Sequence, residues 1–501
     1  MLRRLLILLA KILLVFAVVW LVVIGYWQYT RRVVSSADLL VYLTLLPMGL
    51  LLSYGLLKGA FQLSKKLQAR RLDRATQLQS KQEVGATGAA STQPPTEQPV
   101  LVLGSALYSG LGDAEMWIEK TRAYEIHHAL DQPLTDALGW AVRSIRADQL
   151  DEESLDEDSL PHDMQPGVRR MAHMLQRVQD ELSDVMVRAA AQAAMSARSA
   201  SVHDQRVVLH PEWTGQVATP VERATEVPAP QANRISSLAV FVLLPGFVTA
   251  AEADALKAMC HVWALGAGWA SQVVAVTAVI AQGDTVSLKR LGDILQQQVT
   301  KPGQLLVVLS AVSWLDASLL SEQLQRNVVW AERLRKSSTI VGEAAAGLVL
   351  SMTPLIDPET LESSPALVQL ACLSIGERQK PVDVKGSVEA ELLETLSQGL
   401  SRAYGIAPDR YVHLVATGDL WRGRPVELGK WLSDCLPHLS LVDDAIQVGQ
   451  HLGECDPVCD LVALVLAVES CRQAEAPILF CSNHNTHWRG LSAVMPVSLA
   501  A

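Results

Sequence analysis

Four polar side chains that can bind ligands or transfer protons lie close together near the end of the chain. Asn483, His484, His487 and Arg489 follow an apolar run at residues 477–481 that predicts a buried strand. Histidine changes its charge near neutral pH, and loop residues at a strand end are positioned by the scaffold beneath them. This group is a candidate functional site; a hydrogen-bonded terminal loop is the more ordinary interpretation.

Cysteine is a further residue type in this chain that can do chemistry, as a nucleophile or as a metal ligand. The chain has seven cysteines, an odd number without regular spacing, which indicates reduced thiols rather than a disulfide framework. Cys455 and Cys459 form a C-x3-C pair that lacks a second pair at zinc-site spacing, so no metal is predicted. No Walker A motif or complete glycine fingerprint occurs, and no cofactor is predicted.

Charge is divided unequally along the chain. Residues 1–82 carry a net charge of +10, whereas the whole chain of 501 residues carries −10, which leaves −20 on the remainder. An acidic body lacks the basic footprint that nucleic acids require. We therefore exclude nucleic acid as a partner and expect proteins instead.

Two apolar runs, 12–26 and 39–61, flank a short turn that contains two arginines. Runs of this length predict a transmembrane helical hairpin over residues 1–64, in contact with membrane lipids. Basic residues are more frequent outside the hairpin than in its turn, which places both chain ends in the cytoplasm. Residues 65–98 then predict a basic juxtamembrane segment and a flexible linker.

The remaining residues predict an α/β body. Residues 99–235 contain a buried strand at 100–103, helices at 115–128, 135–147 and 164–200, an acidic loop at 148–158 and a proline-rich loop. Residues 236–501 alternate short apolar runs with helical segments. Strands that alternate with helices are typical of sheets covered by helices on their faces.

Three stretches of residues 236–501 resemble the thiolase-like fold, in particular β-ketoacyl synthases. Residues 341–350 resemble the Gly-Glu-Gly-Ala-Ala strand of those enzymes. Residues 415–419 with 424–428 resemble their His-Gly-Thr-Gly-Thr loop and the helix start that follows it, and 452–454 resemble their Gly-His turn. The resemblance implies a thiolase-like layered α/β body behind the transmembrane hairpin.

The same resemblance implies an active site that has lost its catalytic side chains. The two family histidines fall at Val415 and Glu454, the family lysine falls at Gly449, and Thr417 lies in the first histidine's loop. The family's nucleophilic cysteine belongs at the start of the helix predicted over 286–299, where this chain has none. These positions imply a degenerate site and a protein without catalytic activity.

The order of the segments along the whole chain resembles the type VI lipase adaptor family. The likeness includes the anchor, the linker, and a final Cys481-Ser482-Asn483 followed by Trp488-Arg489-Gly490. It implies a non-catalytic adaptor at a bacterial inner membrane, which presents a lipase effector to the secretion spike. Thiolase-like proteins are commonly dimers, which implies a homodimer. The alternative is an acyl-transfer enzyme that uses a cysteine nucleophile, such as Cys260 with His484 or His487.

Overall fold

The computed structural model describes residues 99–497, apart from 136–138, 140, 148–160, 162–163, 205–234, 282–286, 300, 302, 317–318, 321–339, 353–366, 383–387, 419–422 and 454. Every described element belongs to one compact unit that begins at Pro95. The predicted hairpin, the linker, the acidic loop and the proline-rich loop lie outside the described residues. None of the described helices is long and apolar enough to cross a membrane.

The described residues of the first half form four α-helices and the strands around them. In chain order the elements are β1 (Val100–Ser109), α1 (Ala114–Arg122), β2 (Ala129–Thr135), β3 (Ala141–Ile145), α2 (Pro166–Asp204), β4 (Ser237–Leu244), α3 (Ala250–Gly266), β5 (Val274–Ile280), α4 (Ser287–Val299), β6 (Gln304–Ser313) and β7 (Val341–Ser351). The apolar runs at 238–244 and 305–309, two of those that alternate with helical segments in the sequence, lie in β4 and β6.

The second half follows the same alternation. Its elements are β8 (Val368–Leu370), β9 (Ser374–Glu377), α5 (Glu391–Tyr404), β10 (His413–Ala416), α6 (Gly423–Cys435), β11 (Ala445–Gln447), α7 (Val448–Leu452), α8 (Val458–Ala474), β12 (Ile478–Ser482) and β13 (Trp488–Pro496). The α/β class expected from the sequence is confirmed.

The two halves repeat one strand order. The sheet runs β11-β10-β12-β13-β8-β1-β7-β6-β4-β5, and β2, β3 and β9 lie off this path. When the five strands of each half on the path are numbered in chain order, both halves read 3-2-4-5-1 from the outer edge inward. The two first strands, β8 and β1, pair antiparallel at the centre. In each half a long helix lies between the third and the fourth strand: α4 in the first half and, after the short α7, α8 in the second. This makes α4 and α8 equivalent elements.

Helix α8 lies between the strands of the two halves. It contacts β1, β6 and β7 of the first half and β10, β12 and β13 of the second. Its sequence is apolar on every side, and all but a few of its residues are buried. A helix that is hydrophobic all round belongs in the interior of a protein.

Helix α2 packs on the other face of the first half. Strand β7 is buried along its whole length and is rich in alanine and glycine, which lets the helix approach closely. A Cβ atom at Gly347 would lie 2.8 Å from methyl groups of Leu182, Val178 and Leu309, so a larger residue there would displace these packed side chains. The helix predicted over 164–200 is confirmed as α2.

The helix predicted over residues 135–147 is wrong. The segment contains the end of β2 and the whole of β3, which pair with each other, and β3 also adds to β7. Asp131 on β2 accepts hydrogen bonds from Ser144 at 2.6 Å and from Arg146 Nε at 3.0 Å. These long-range partners override the local helix preference.

Strand β5 ends the sheet and pairs only with β4 among the described strands. Its sequence, Val-Ala-Val-Thr-Ala-Val-Ile, has no charge and no proline to block pairing with another chain. We propose that β5 pairs antiparallel with β5 of a second copy, with Thr277 at the centre of the two-fold interface.

Light scattering of the full-length chain in detergent should therefore give a dimer. Thr277→Lys would bring two like charges together at the two-fold axis, and we expect it to weaken the dimer by about tenfold or more. Thr277→Ser is the matched control and should remain dimeric. A wild-type monomer, or a Thr277→Lys dimer of unchanged affinity, would exclude this interface.

Candidate functional site

Five polar residues from both halves meet between α4, α8 and the ends of β10 and β12. We call them the central polar cluster: Ser287 at the start of α4, Thr417 after β10, Asp456 before α8, Asp460 in the first turn of α8, and His484 after β12. Strands β10 and β12 are parallel neighbours, so Thr417 and His484 leave the sheet at the same edge.

Thr417 fixes the orientation of the His484 ring. Its Oγ1 accepts hydrogen bonds from the backbone N–H groups of Asn483 at 2.9 Å and His484 at 3.2 Å. Because those donors use both lone pairs, the hydroxyl proton is left for His484 Nδ1, 3.0 Å away. In its neutral form His484 therefore carries its own proton on Nε2, which faces Asp456 Oδ1 at 3.8 Å.

Ser287 lies between the two carboxyl groups. Its hydroxyl donates to Asp456 Oδ1 in a short hydrogen bond, and its Oγ lies 3.4 Å from Asp460 Oδ2. A serine hydroxyl has one proton and can donate to only one of them. Burial raises the pKa of Asp460, although the positive charge of a protonated His484 would lower it. The other oxygen of this carboxyl group, Asp460 Oδ1, is buried and has no hydrogen-bond partner among the described residues.

These groups can perform nucleophilic and acid–base chemistry. Ser287 begins a helix, where partial positive charge favours a developing anion, and Asp456 is placed to accept its proton. The His484 ring lies beside both carboxyl groups, since its Nδ1 is 3.5 Å from Asp460 Oδ1. A hydroxyl, a carboxylate acceptor and an imidazole are the parts that acyl transfer requires.

The positions that the resemblance aligns with the family's active site do not come together in one place in this structure. Val415 is fully buried within β10, in register with Ile446 of β11 and Phe480 of β12. Gly449 is a buried residue of the short helix α7. Glu454 lies outside the described residues. Thr417 alone of this set belongs to the central polar cluster.

The four polar residues near the chain end are divided between different environments. His484 joins the central polar cluster, and the buried Asn483 Oδ1 has no hydrogen-bond partner among the described residues. The His487 backbone N–H donates to Asn485 Oδ1 at 2.9 Å. Arg489 is fully buried and forms an ion pair with Glu427 of α6.

Cys260 does not join the central polar cluster. It is fully buried among apolar residues of α2, α3 and β4, and it accepts a hydrogen bond from Gln179 at 3.2 Å. Burial raises the pKa of the Cys260 thiol to about 12, which keeps it protonated and unreactive at neutral pH. Within the described parts of the chain, no group of three or more His, Cys, Asp or Glu side chains is arranged to hold a metal ion.

Sequence reasoning missed Ser287, Asp456 and Asp460. One signal was available for Asp460, which is a charged residue in the first turn of an otherwise apolar helix and is 1% exposed. Aspartate is almost never buried so completely without a partner. For Ser287 the available signal was its place at the start of the helix predicted over 286–299, where the resemblance expects a nucleophile, but its partners lie far away in the sequence.

The structure is similar to those of ketosynthases. It matches a ketosynthase/chain length factor named for ishigamide with a TM-score of 0.47 and 11% identity, over 80% of this chain and 99% of that one. It matches the module 6 ketosynthase of the bacillaene synthase from Bacillus subtilis 168 with a TM-score of 0.49 and 10% identity, over 81% and 73% of the chains. No protein-family model and no curated protein matches the sequence.

Glu427 is the centre of a buried ion network. Arg489 donates to Glu427 Oε2 from Nε at 2.9 Å and from Nη2 at 2.7 Å, and Arg378 pairs with Oε1.

Glu427→Gln would leave a buried guanidinium without its counter-charge, and we expect a loss of about 3–5 kcal/mol in the free energy of unfolding. Urea denaturation measures this loss. The exposed Glu377→Gln is the control, and an equal, small effect of both would contradict the role of Glu427.

His128 and His451 stack with their ring centroids 6.3 Å apart. Burial, and then the charge of His128, lower the pKa of His451 to about 4. The unfolded chain, with an ordinary histidine pKa near 6.5, binds more protons than the folded chain between these values. The stability contributed by a neutral His451 is therefore complete above about pH 6.5 and falls as the pH decreases toward 4.

The urea midpoint should accordingly decrease between pH 7 and pH 5, and His451→Gln should reduce this decrease. His261→Gln, on α3, is the matched control and should keep the wild-type pH dependence. The same slope in all three proteins would show that the stacked pair does not titrate as described.

Proposed function

We propose that this protein transfers acyl groups, with Ser287 as the residue that receives the acyl group. One observation supports the proposal above the others: Ser287, Asp456, Asp460 and His484 converge at the start of α4. The sequence resemblance implies a thiolase-like fold and expects its nucleophile at this helix start. The serine hydroxyl takes the place of the cysteine that the sequence lacks there.

The proposed step begins with a thioester or ester bound beside Ser287. The Oγ atom forms a bond to the carbonyl carbon, and the Oγ proton passes to Asp456. The bond from the carbonyl carbon to the leaving sulfur or oxygen then breaks, and the imidazolium form of His484 donates its Nε2 proton to the leaving group, which leaves a neutral imidazole. Acyl-Ser287 is the product, and the protonated Asp456 can return its proton to His484.

Intact-protein mass spectrometry of the full-length chain tests this step. After incubation with acetyl- and octanoyl-coenzyme A, we expect one acyl adduct on the peptide that contains Ser287. Ser287→Ala should abolish the adduct. Asp456→Asn and His484→Gln should slow its formation by about 10²-fold or more, as expected for loss of a general base or acid.

Ser236→Ala is the matched control because Ser236 is exposed and lies outside the central polar cluster. It should leave the rate of acylation unchanged. An adduct that persists in Ser287→Ala, or one found on a cysteine, would contradict the assignment of Ser287. The absence of an adduct with either donor would favour the second function below.

A non-catalytic adaptor is the second function we propose. The burial of three members of the central polar cluster supports it, since the exposed fractions of Ser287, Thr417 and Asp460 are 3%, 0% and 1%, whereas Asp456 and His484 are partly exposed. In this case the body binds a lipase effector for type VI secretion, and residues 1–64 anchor it in the bacterial inner membrane. Lipase activity that co-purifies equally with wild type and Ser287→Ala, without acylation of either, is the expected result.

A further inference from the structure

A cavity lies apart from the central polar cluster, between α5 and α6 and against β12. Its volume is about 340 Å³, near the lower end of the range of about 300–1,000 Å³ for small-molecule pockets. Leu400, Leu436 and Leu479 contribute apolar walls. We call this cavity the α5–α6 pocket.

Tyr411 lines the α5–α6 pocket and is 3% exposed. Its hydroxyl is buried and has no hydrogen-bond partner among the described residues. The backbone carbonyl of Tyr411 lies 2.9 Å from His438 Nε2, which helps to hold the residue in place. An unpaired buried hydroxyl lowers stability, so one that lines a cavity indicates a ligand that supplies the missing partner.

The remaining lining residues define the ligand's charge. Arg402 is exposed and also lines the pocket, so a positively charged residue borders its apolar walls. Burial, and then the negative charges of Glu394 and Asp434, raise the pKa of the Cys435 thiol to about 11. Burial also raises the pKa of the Tyr411 hydroxyl, so both groups are neutral donors at pH 7. No carboxylate lines the pocket in the part of the chain that the structure describes.

We propose that the α5–α6 pocket binds a small amphiphilic carboxylate. Its alkyl or aryl body packs against the three leucines, its negative charge is matched by Arg402, and an oxygen atom of the ligand accepts a hydrogen bond from the Tyr411 hydroxyl. This site is independent of acyl transfer at Ser287.

Cys435 provides a direct measure of occupancy, because it is a partly exposed thiol inside the pocket. The full-length chain is treated with N-ethylmaleimide at pH 9, with octanoate as the probe, and modification is followed by mass spectrometry. We expect octanoate to slow modification of Cys435 and to leave Cys372, a partly exposed thiol outside the pocket, unaffected. Octylamine, which has the opposite charge, should protect much less.

Two substitutions test the residues that define the ligand. Tyr411→Phe and Arg402→Gln should each raise the octanoate concentration for half protection by about tenfold, the effect of one hydrogen bond or charge contact. Tyr411→Phe should not lower the thermal midpoint, because it removes a hydroxyl that has no partner. Arg410→Gln, an exposed arginine outside the pocket, is the matched control.

Three outcomes would overturn the proposal. They are equal protection of Cys435 by octanoate and octylamine, equal protection of Cys372, and an octanoate dependence unchanged in both Tyr411→Phe and Arg402→Gln. Failure of acylation at Ser287 would leave the α5–α6 pocket unaffected, so the two results are distinguishable.

Discussion

The structure depends on the burial of α8 between the strands of its two halves. The helix has almost no polar surface, and its many apolar side chains stabilise the body by their removal from water. The exception in its first turn is Asp460, which is held in the same dry environment with its pKa raised by burial. The helix that joins the halves therefore also delivers the carboxyl group that faces Ser287.

Two buried glutamates, each with several partners from other elements, hold those elements together within this apolar core. Glu343 of β7 accepts hydrogen bonds from Arg170 Nε at 2.9 Å, from Ser313 at 2.8 Å and from the Ala147 backbone N–H at 2.7 Å. Glu427 has an equivalent task in the second half with Arg378 and Arg489. Both glutamates belong to stretches that resemble β-ketoacyl synthases. In this chain those stretches serve to hold elements together, because a buried carboxylate needs its partners to remain in place.

Much of the fold could be predicted because its strands are continuous apolar runs. β4, β6 and β12 are buried on both faces, so their sequences show them directly. The segment 135–147 could not be predicted, since its strands depend on Arg146 pairing with Asp131 and on the edge of β7. His484 and Thr417 could be singled out from the sequence, but their contact follows from the parallel pairing of β10 with β12. Ser287 meets Asp460 only because both halves fold to the same strand order.

The central polar cluster is assembled from both halves of the body, which share one strand order. Ser287 is supplied by the first half, and Thr417, Asp456, Asp460 and His484 are supplied by the second. Neither half contains a complete set, and the hydrogen bond between Ser287 and Asp456 closes only when the halves have docked. A nascent or partly unfolded chain thus holds an isolated serine without its proton acceptor. The acyl transfer proposed for Ser287 therefore requires both halves of the body to be folded.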